Sequence, residues 1–334
     1  MPPIDRPPPT TETTDRPSRL EPLAPPDALP DPRQYDGKYL TPEIERVIKS
    51  HQDRPAETER KPWTLDTPVG KNETAGDVLR RHHGDELPPE TVRKNADYIA
   101  EKGNDKSPWL KEAADADPLV QSVYVERDQS VGHDLQRHEG WRGDQGQHDR
   151  ALYQRDPHHP ENSPEYLRSN DFFGQGRLHD CWGYATHIPD PVAYATTYAR
   201  IAEHPRVKDA LSGPFVRDNE PLAIRDIPID EILGPDGHAA ISGYELAGDN
   251  MKEATADRRD WIRAVRAEID KGLTSDEAEE KVRSSAADMN LPEPAVRPIE
   301  SFAGGMFSVQ FGLNRDKSGF EIVSFHASPR RVES

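Results

Sequence analysis

Two stretches near the end of the chain alternate strictly. Phe307, Val309, Phe311 and Leu313 are apolar at every second position, and Phe320, Ile322, Ser324 and His326 repeat that period after a polar turn from Asn314 to Gly319. A period of two marks a strand with one buried face, so this segment is predicted to be an antiparallel hairpin. Ser324 and His326 then share a face, two residues apart. Elsewhere the period is helical. Trp261, Val265 and Ile269 align within Asp257 to Lys271, with Gly272 as the stop, and Thr274 to Glu277 forms a capping box for a helix through about Asp288. Asp190-Pro191 is a helix start, followed by Val192, Ala195, Ala199 and Ala202 on one side, with Pro205 as an interruption. Residues 74–102 read as two helices broken at Leu87-Pro-Pro, the second with Val92, Ala96 and Ile99 on one face and Gly103 at its end. Thr41-Pro42 opens a further short helix. Strands are predicted for Leu119 to Val125, Leu222 to Ile227 and Ala239 to Leu246, and a proline-rich connector for 291–299.

The pattern fades at both the start and the middle. Residues 1–35 hold 11 of the 33 prolines and show no period, which predicts a disordered or polyproline-like leader. Residues 142–182 are polar, rich in Gly, His, Asp and Pro, and too long for a routine loop. The expected organisation is a disordered leader over 1–38, a small helical adaptor over 39–117, and an α+β domain over 118–334. That last domain ends in the hairpin and carries an inserted helical segment at about 250–290.

Composition narrows the function. Hydrophobic residues make up 33% of the chain and charged residues 31%, so not every segment buries enough apolar surface to offset its ordering entropy. Net charge is −18, contributed by both parts of the chain. That is a poor footprint for non-specific nucleic-acid binding, and a nuclease of this charge needs a local basic groove and should be salt-sensitive. Cys181 is the single cysteine, which excludes an internal disulfide framework, multi-cysteine zinc sites and the zinc-deaminase signature. Gly174 and Gly176 lack the third glycine of a dinucleotide fingerprint. No signal peptide or membrane-length apolar window is visible. A soluble protein is expected, either cytoplasmic or delivered by a route that needs no signal peptide.

The chemistry concentrates in histidine. Seven of the 13 histidines fall between His133 and His187, and imidazole gives and takes protons near neutral pH. Metal-free RNA cleavage needs a base for the 2′-hydroxyl, an acid for the leaving 5′-oxygen and a cation for the phosphate charge. His138, His326 and an arginine satisfy that requirement. The plainer alternative makes His326 a half-buried strand residue and His138 a surface one. His82-His83 reads as solvated surface, since no partner ligands lie at helical spacing. His158, His159 and His179 with Asp180 lack the defined spacing of a metal site, so neither metal nor cofactor is expected.

Gly132-His133-x-Leu135-x-Arg137-His138-x-Gly140 resembles the entry motif of the bacterial RNase A-like toxin domains found at the C-termini of contact-dependent-inhibition and other polymorphic toxins. In that family the second histidine is catalytic and a later arginine binds the phosphate. Arg150 is the matching candidate, about one residue further on than the pattern expects. Tyr184 to Ala193 loosely resembles the family's small-residue and aromatic segment before a helix. Ile322-Val-Ser324-Phe-His326 occupies the place of its final strand, which carries Thr-x-Tyr. Serine keeps a hydroxyl there, and histidine for tyrosine is a departure that could restore an acid. The segment 214–300 is an insertion the family normally lacks. The resemblance implies a metal-independent ribonuclease toxin with His138 as base, His326 as acid, Arg150 as phosphate clamp and Ser324 assisting. His133, Arg137 and Thr186 would bind substrate. It implies RNA, not DNA, as substrate and a cognate immunity protein as partner.

A rival resemblance is to ADP-ribosyltransferase toxins, which consume NAD. Leu152 to Pro157 is similar to their arginine-bearing first strand, with Arg155 one residue out of register. Glu220, seven residues before Ile227, is similarly placed to their catalytic glutamate. A third reading, from a different class, is a non-catalytic interaction or secretion scaffold in which the histidines are incidental.

Overall fold

The computed structural model describes residues 61–70, 72–103, 107–132, 134–139, 143–153, 183–212, 222–248, 250–316 and 318–329. The expected leader, the helix at Thr41-Pro42, and His158, His159 and His179 lie outside them. So do Arg155 and Glu220, the two residues of the transferase reading.

The chain is α+β. It begins with a short hairpin, β1 (Pro68–Gly70) and β2 (Glu73–Thr74), then α1 (Ala75–His83). Thr74 caps α1 in a capping box with Asp77, which serves two of the otherwise unbonded N–H groups at the helix start. α2 (Pro89–Lys102) starts with proline in its first turn, where the missing N–H costs nothing, and ends at Gly103, whose N–H bonds Ile99 O. A single turn, α3 (Trp109–Glu112), leads to α4 (Pro118–Gln129).

α4 corrects the strand predicted for Leu119 to Val125. Asp117 caps it by accepting from Leu119 N, and Pro118 occupies the first turn. Every residue from Leu119 to Val125 is buried, so no polar face remains to reveal a helical period. The β-branched run then imitates a strand. α5 (Asp134–His138) and α6 (Gly143–Tyr153) follow. The long loop predicted for 142–182 therefore begins with a helix, and 154–182 lies outside the described residues.

α7 (Pro191–Glu203) is capped by Asp190, which accepts from Val192 N and Ala193 N, and Pro205 separates it from α8 (Pro205–Ser212). The insertion contributes strands as well as helices. β3 (Tyr184–His187), β5 (Ser242–Leu246) and β6 (Val296–Pro298) form one antiparallel sheet in the order β3-β5-β6. β6 lies within the expected connector. β4 (Leu222–Pro228), β7 (Met306–Leu313) and β8 (Phe320–Ser328) form the second, with β7 central. The predicted terminal hairpin is β7–β8, pairing Ser308 with His326 and Gln310 with Ser324. Between β4 and β5 the chain makes the one-turn helix α9 (Ile229–Leu233) and a 3₁₀ turn.

One apolar core joins α1, α2 and α3 to α4, α7 and the β4-β7-β8 sheet, through Leu79, Leu110, Tyr124, Tyr194, Phe307 and Phe325. The boundary expected at 117/118 separates no two cores, and residues 60–334 form one unit. The helices predicted in the insertion are α10 (Met251–Ile269) and α11 (Ser275–Ser285), the latter with the expected Thr274–Glu277 capping box. They make a second apolar cluster around Trp261, tied to α6 where Arg258 Nη1 donates to Ala151 O at 2.6 Å. Among the described residues, no helix is long and apolar enough to cross a membrane.

His82 and His83 are not the solvated pair expected. Both are half-buried at the end of α1, where α4 brings Glu126 to 3.1 Å from His82 Nε2. Burial first, and the charge of His82 second, push the His83 imidazole down to about 4 from an ordinary 6.5. Between those two values the unfolded chain holds a proton that the folded chain does not. His83 therefore weakens the fold as pH falls from 6.5 toward 4 and has no further effect below that. The urea midpoint of the wild type should drop more steeply through this window than that of His83→Gln. Parallel curves would contradict the assignment.

Candidate functional site

The site is assembled around the loop between α4 and α5. Gly132 is needed there because the backbone passes too close for a side chain. A Cβ would lie 2.4 Å from Arg127 Nη2, 2.7 Å from the backbone oxygen of Val323 and 2.8 Å from Asp134 Oδ1. Arg127 cannot retreat, since it is buried and held on three sides. It pairs with Asp134 through two bonds of 2.7 and 3.1 Å, donates to Ile322 O at 2.7 Å, and lies 4.6 Å over the ring of Tyr198. Gly132→Ala should therefore cost about 1–3 kcal/mol by overpacking, more than the few tenths to 1 kcal/mol gained from a stiffer unfolded chain. Urea denaturation checks this, and an unchanged midpoint would contradict it.

Asp134 opens α5, and its carboxylate also accepts from Tyr194 OH. Burial, and then the Asp134 charge, raise the Tyr194 hydroxyl well above its ordinary value, so it stays protonated and donates. Burial alone would lower Arg127, but Asp134 outweighs it and the guanidinium stays charged. Leu135 points into the core. His138 ends the helix. Its backbone oxygen accepts from Ile188 N at 2.9 Å, and the next residue, Glu139, is fully buried and accepts from Tyr124 OH at 2.7 Å. The Gly132–Gly140 motif is thus as much a docking device for its helix as a carrier of histidine.

His138 reaches the terminal hairpin. Its ring stacks on that of His326, centroids 5.4 Å apart and planes inclined by 24°. His138 Nδ1 lies 3.1 Å from Thr186 O. A carbonyl only accepts, so Nδ1 carries a proton, and in the neutral ring Nε2 then holds the lone pair. Thr186 also spans the two sheets, its Oγ1 donating to Ala327 O at 2.8 Å. It can approach because Gly243, its partner on β5, has no side chain: a Cβ there would lie 2.4 Å from Ala185 O.

Comparison of the chain with protein-family models, with curated proteins and with solved structures finds no match. The geometry therefore carries the functional reading.

His138, Thr186, His187 and His326 line a small depression together with Phe325, Ile188, Ile241 and Ala327, and it has no room for even a water-sized molecule. His138 and His326 are each 9% exposed.

Of the expected site residues, His138, His326 and Thr186 come together. Ser324 shares the His326 face, and its buried Oγ makes no hydrogen bond, but it does not line the depression. Arg150 sits in the last turn of α6, donating to Gln147 Oε1 at 3.0 Å, and does not line it either. His133 lies outside the described residues, as does the side chain of Arg137. His187, a third histidine at the site, had a signal in the sequence: it directly follows Thr186, an expected substrate-binding residue. Arg127, Asp134, Glu139, Tyr124 and Tyr194 were missed. Of these, Asp134 and Glu139 lie inside the motif and could have been found there.

Proposed function

We propose that this chain is a metal-independent ribonuclease, and one observation supports the reading above all. The two imidazoles proposed as base and acid, about 190 residues apart in sequence, stack 5.4 Å apart at one depression. His138 Nε2 takes the proton of a 2′-hydroxyl, and the oxygen so freed attacks the adjacent phosphorus. His326 gives its proton to the departing 5′-oxygen, leaving a 2′,3′-cyclic phosphate and a 5′-hydroxyl. Charges and protons balance across the two rings, and no cofactor is consumed. Thr186 positions the base by fixing its tautomer. Arg150 and Ser324, expected as phosphate cation and auxiliary hydroxyl, do not line the depression and take no part in this step.

The wider reading follows the family resemblance: a toxin delivered as an effector and neutralised by an immunity protein. The direct test is single-stranded RNA in excess EDTA. Cleavage should persist, yield cyclic-phosphate ends, and vanish on a substrate whose scissile nucleotide is 2′-deoxy. Cleavage of the deoxy substrate, abolition by EDTA, or no cleavage at all would refute the proposal, the last favouring a non-catalytic scaffold.

A further inference from the structure

A second histidine cluster lies at the end of α1. His82 and His83 are consecutive in its last turn, and α4 brings Glu126 to them across 44 residues of sequence. One nitrogen of each ring and one carboxylate oxygen all lie within 4.8 Å of one another. The two rings meet edge-on, 78° apart with centroids at 4.7 Å.

An ion pair between His82 and Glu126 accounts for only part of this arrangement. His83 Nε2 is buried and makes no hydrogen bond, which ordinarily costs about 1–3 kcal/mol. A cation shared by both rings and the carboxylate would give that nitrogen a partner. Glu126 is prepared for that role: its Oε1 accepts from Tyr198 OH at 2.5 Å, leaving Oε2 facing His82, and the Tyr198 ring meets His82 edge-on at 5.5 Å. Outer hydrogen bonds of this kind orient metal-binding carboxylates.

The geometry points to a site for one first-row divalent transition-metal ion, held by His82, His83 and Glu126, that clips α1 to α4. Two imidazoles and one carboxylate suit Zn²⁺ and its neighbours, whereas Mg²⁺ and Ca²⁺ prefer all-oxygen sets. Tetrahedral donors around Zn²⁺ sit about 3.3 Å apart, so the donors, all within 4.8 Å of one another, close by at most about 1.5 Å on binding. The Glu126 side chain is 42% exposed and the His82 side chain 16%, which leaves room for that movement and an open face for the ion and a fourth, water ligand.

The test titrates ZnCl₂ into the full chain after EDTA treatment and desalting, followed by calorimetry and thermal unfolding. One tight site is expected, together with a rise in melting temperature. Glu126→Gln, which keeps an acceptor for Tyr198, and His82→Gln should each weaken binding at least tenfold and remove the thermal shift. Equal binding by wild type and both variants would overturn the site, since the ion would then reside on other histidines. So would an absence of micromolar binding.

Discussion

Replacing His138 with asparagine is expected to lower RNA cleavage by about 10²–10⁴-fold, the range lost with a positioned general acid or base. Asparagine is the informative change because its Nδ2 can replace ring Nδ1 as donor to Thr186 O, while nothing replaces Nε2. The contact that docks the helix end survives and the proton acceptor is lost. His326→Ala should cost a similar factor, and the double variant little more than either single one, because base and acid act in the same step. Cleavage is to be compared under conditions where far-ultraviolet circular dichroism shows all variants folded. If His138→Asn cleaves at the wild-type rate, the ring serves packing alone.

Removing the Asp134 carboxylate should produce the largest loss of stability. Asp134→Ala leaves Arg127 charged, 3% exposed and without its anion. Breaking a buried pair from one side typically costs about 3–5 kcal/mol. In a unit of this size that lowers the melting temperature by on the order of 10 °C. The double replacement Arg127→Met with Asp134→Leu should be less destabilising than Asp134→Ala, since no charge is stranded. Catalysis should suffer in both. Arg127 ties the α5 entry to Ile322 O on β8, and so joins the helix carrying His138 to the strand carrying His326. A double variant less stable than Asp134→Ala would show that the pair contributes net stabilisation.

How far the sequence discloses this arrangement depends on which faces are exposed. The β7–β8 hairpin and the starts of α7 and α11 are legible because their signals are local: alternation, an acidic cap before proline, a capping box. α4 is not legible by period, because burial on all sides erases the contrast between faces, although its Asp117-Pro118 cap is present. The site follows the same division. Alternation places Ser324 and His326 on one face, and the motif singles out His138. That the two imidazoles meet depends on Thr186 bridging the sheets and on Arg127 bridging helix and strand, contacts no spacing encodes. The His82–His83–Glu126 cluster was missed for the same reason. Its third member arrives from another helix, where a search at helical spacing cannot find it.

The most direct measurement is kcat/KM against pH on a short ribonucleotide substrate, for wild type, His138→Asn and His326→Ala. The wild type should give a bell, falling on the acid side as the base is protonated and on the alkaline side as the acid loses its proton. His138→Asn should lose the acid-side fall and His326→Ala the alkaline-side one. A profile that keeps both limbs in either variant would contradict the pairing of these imidazoles as base and acid.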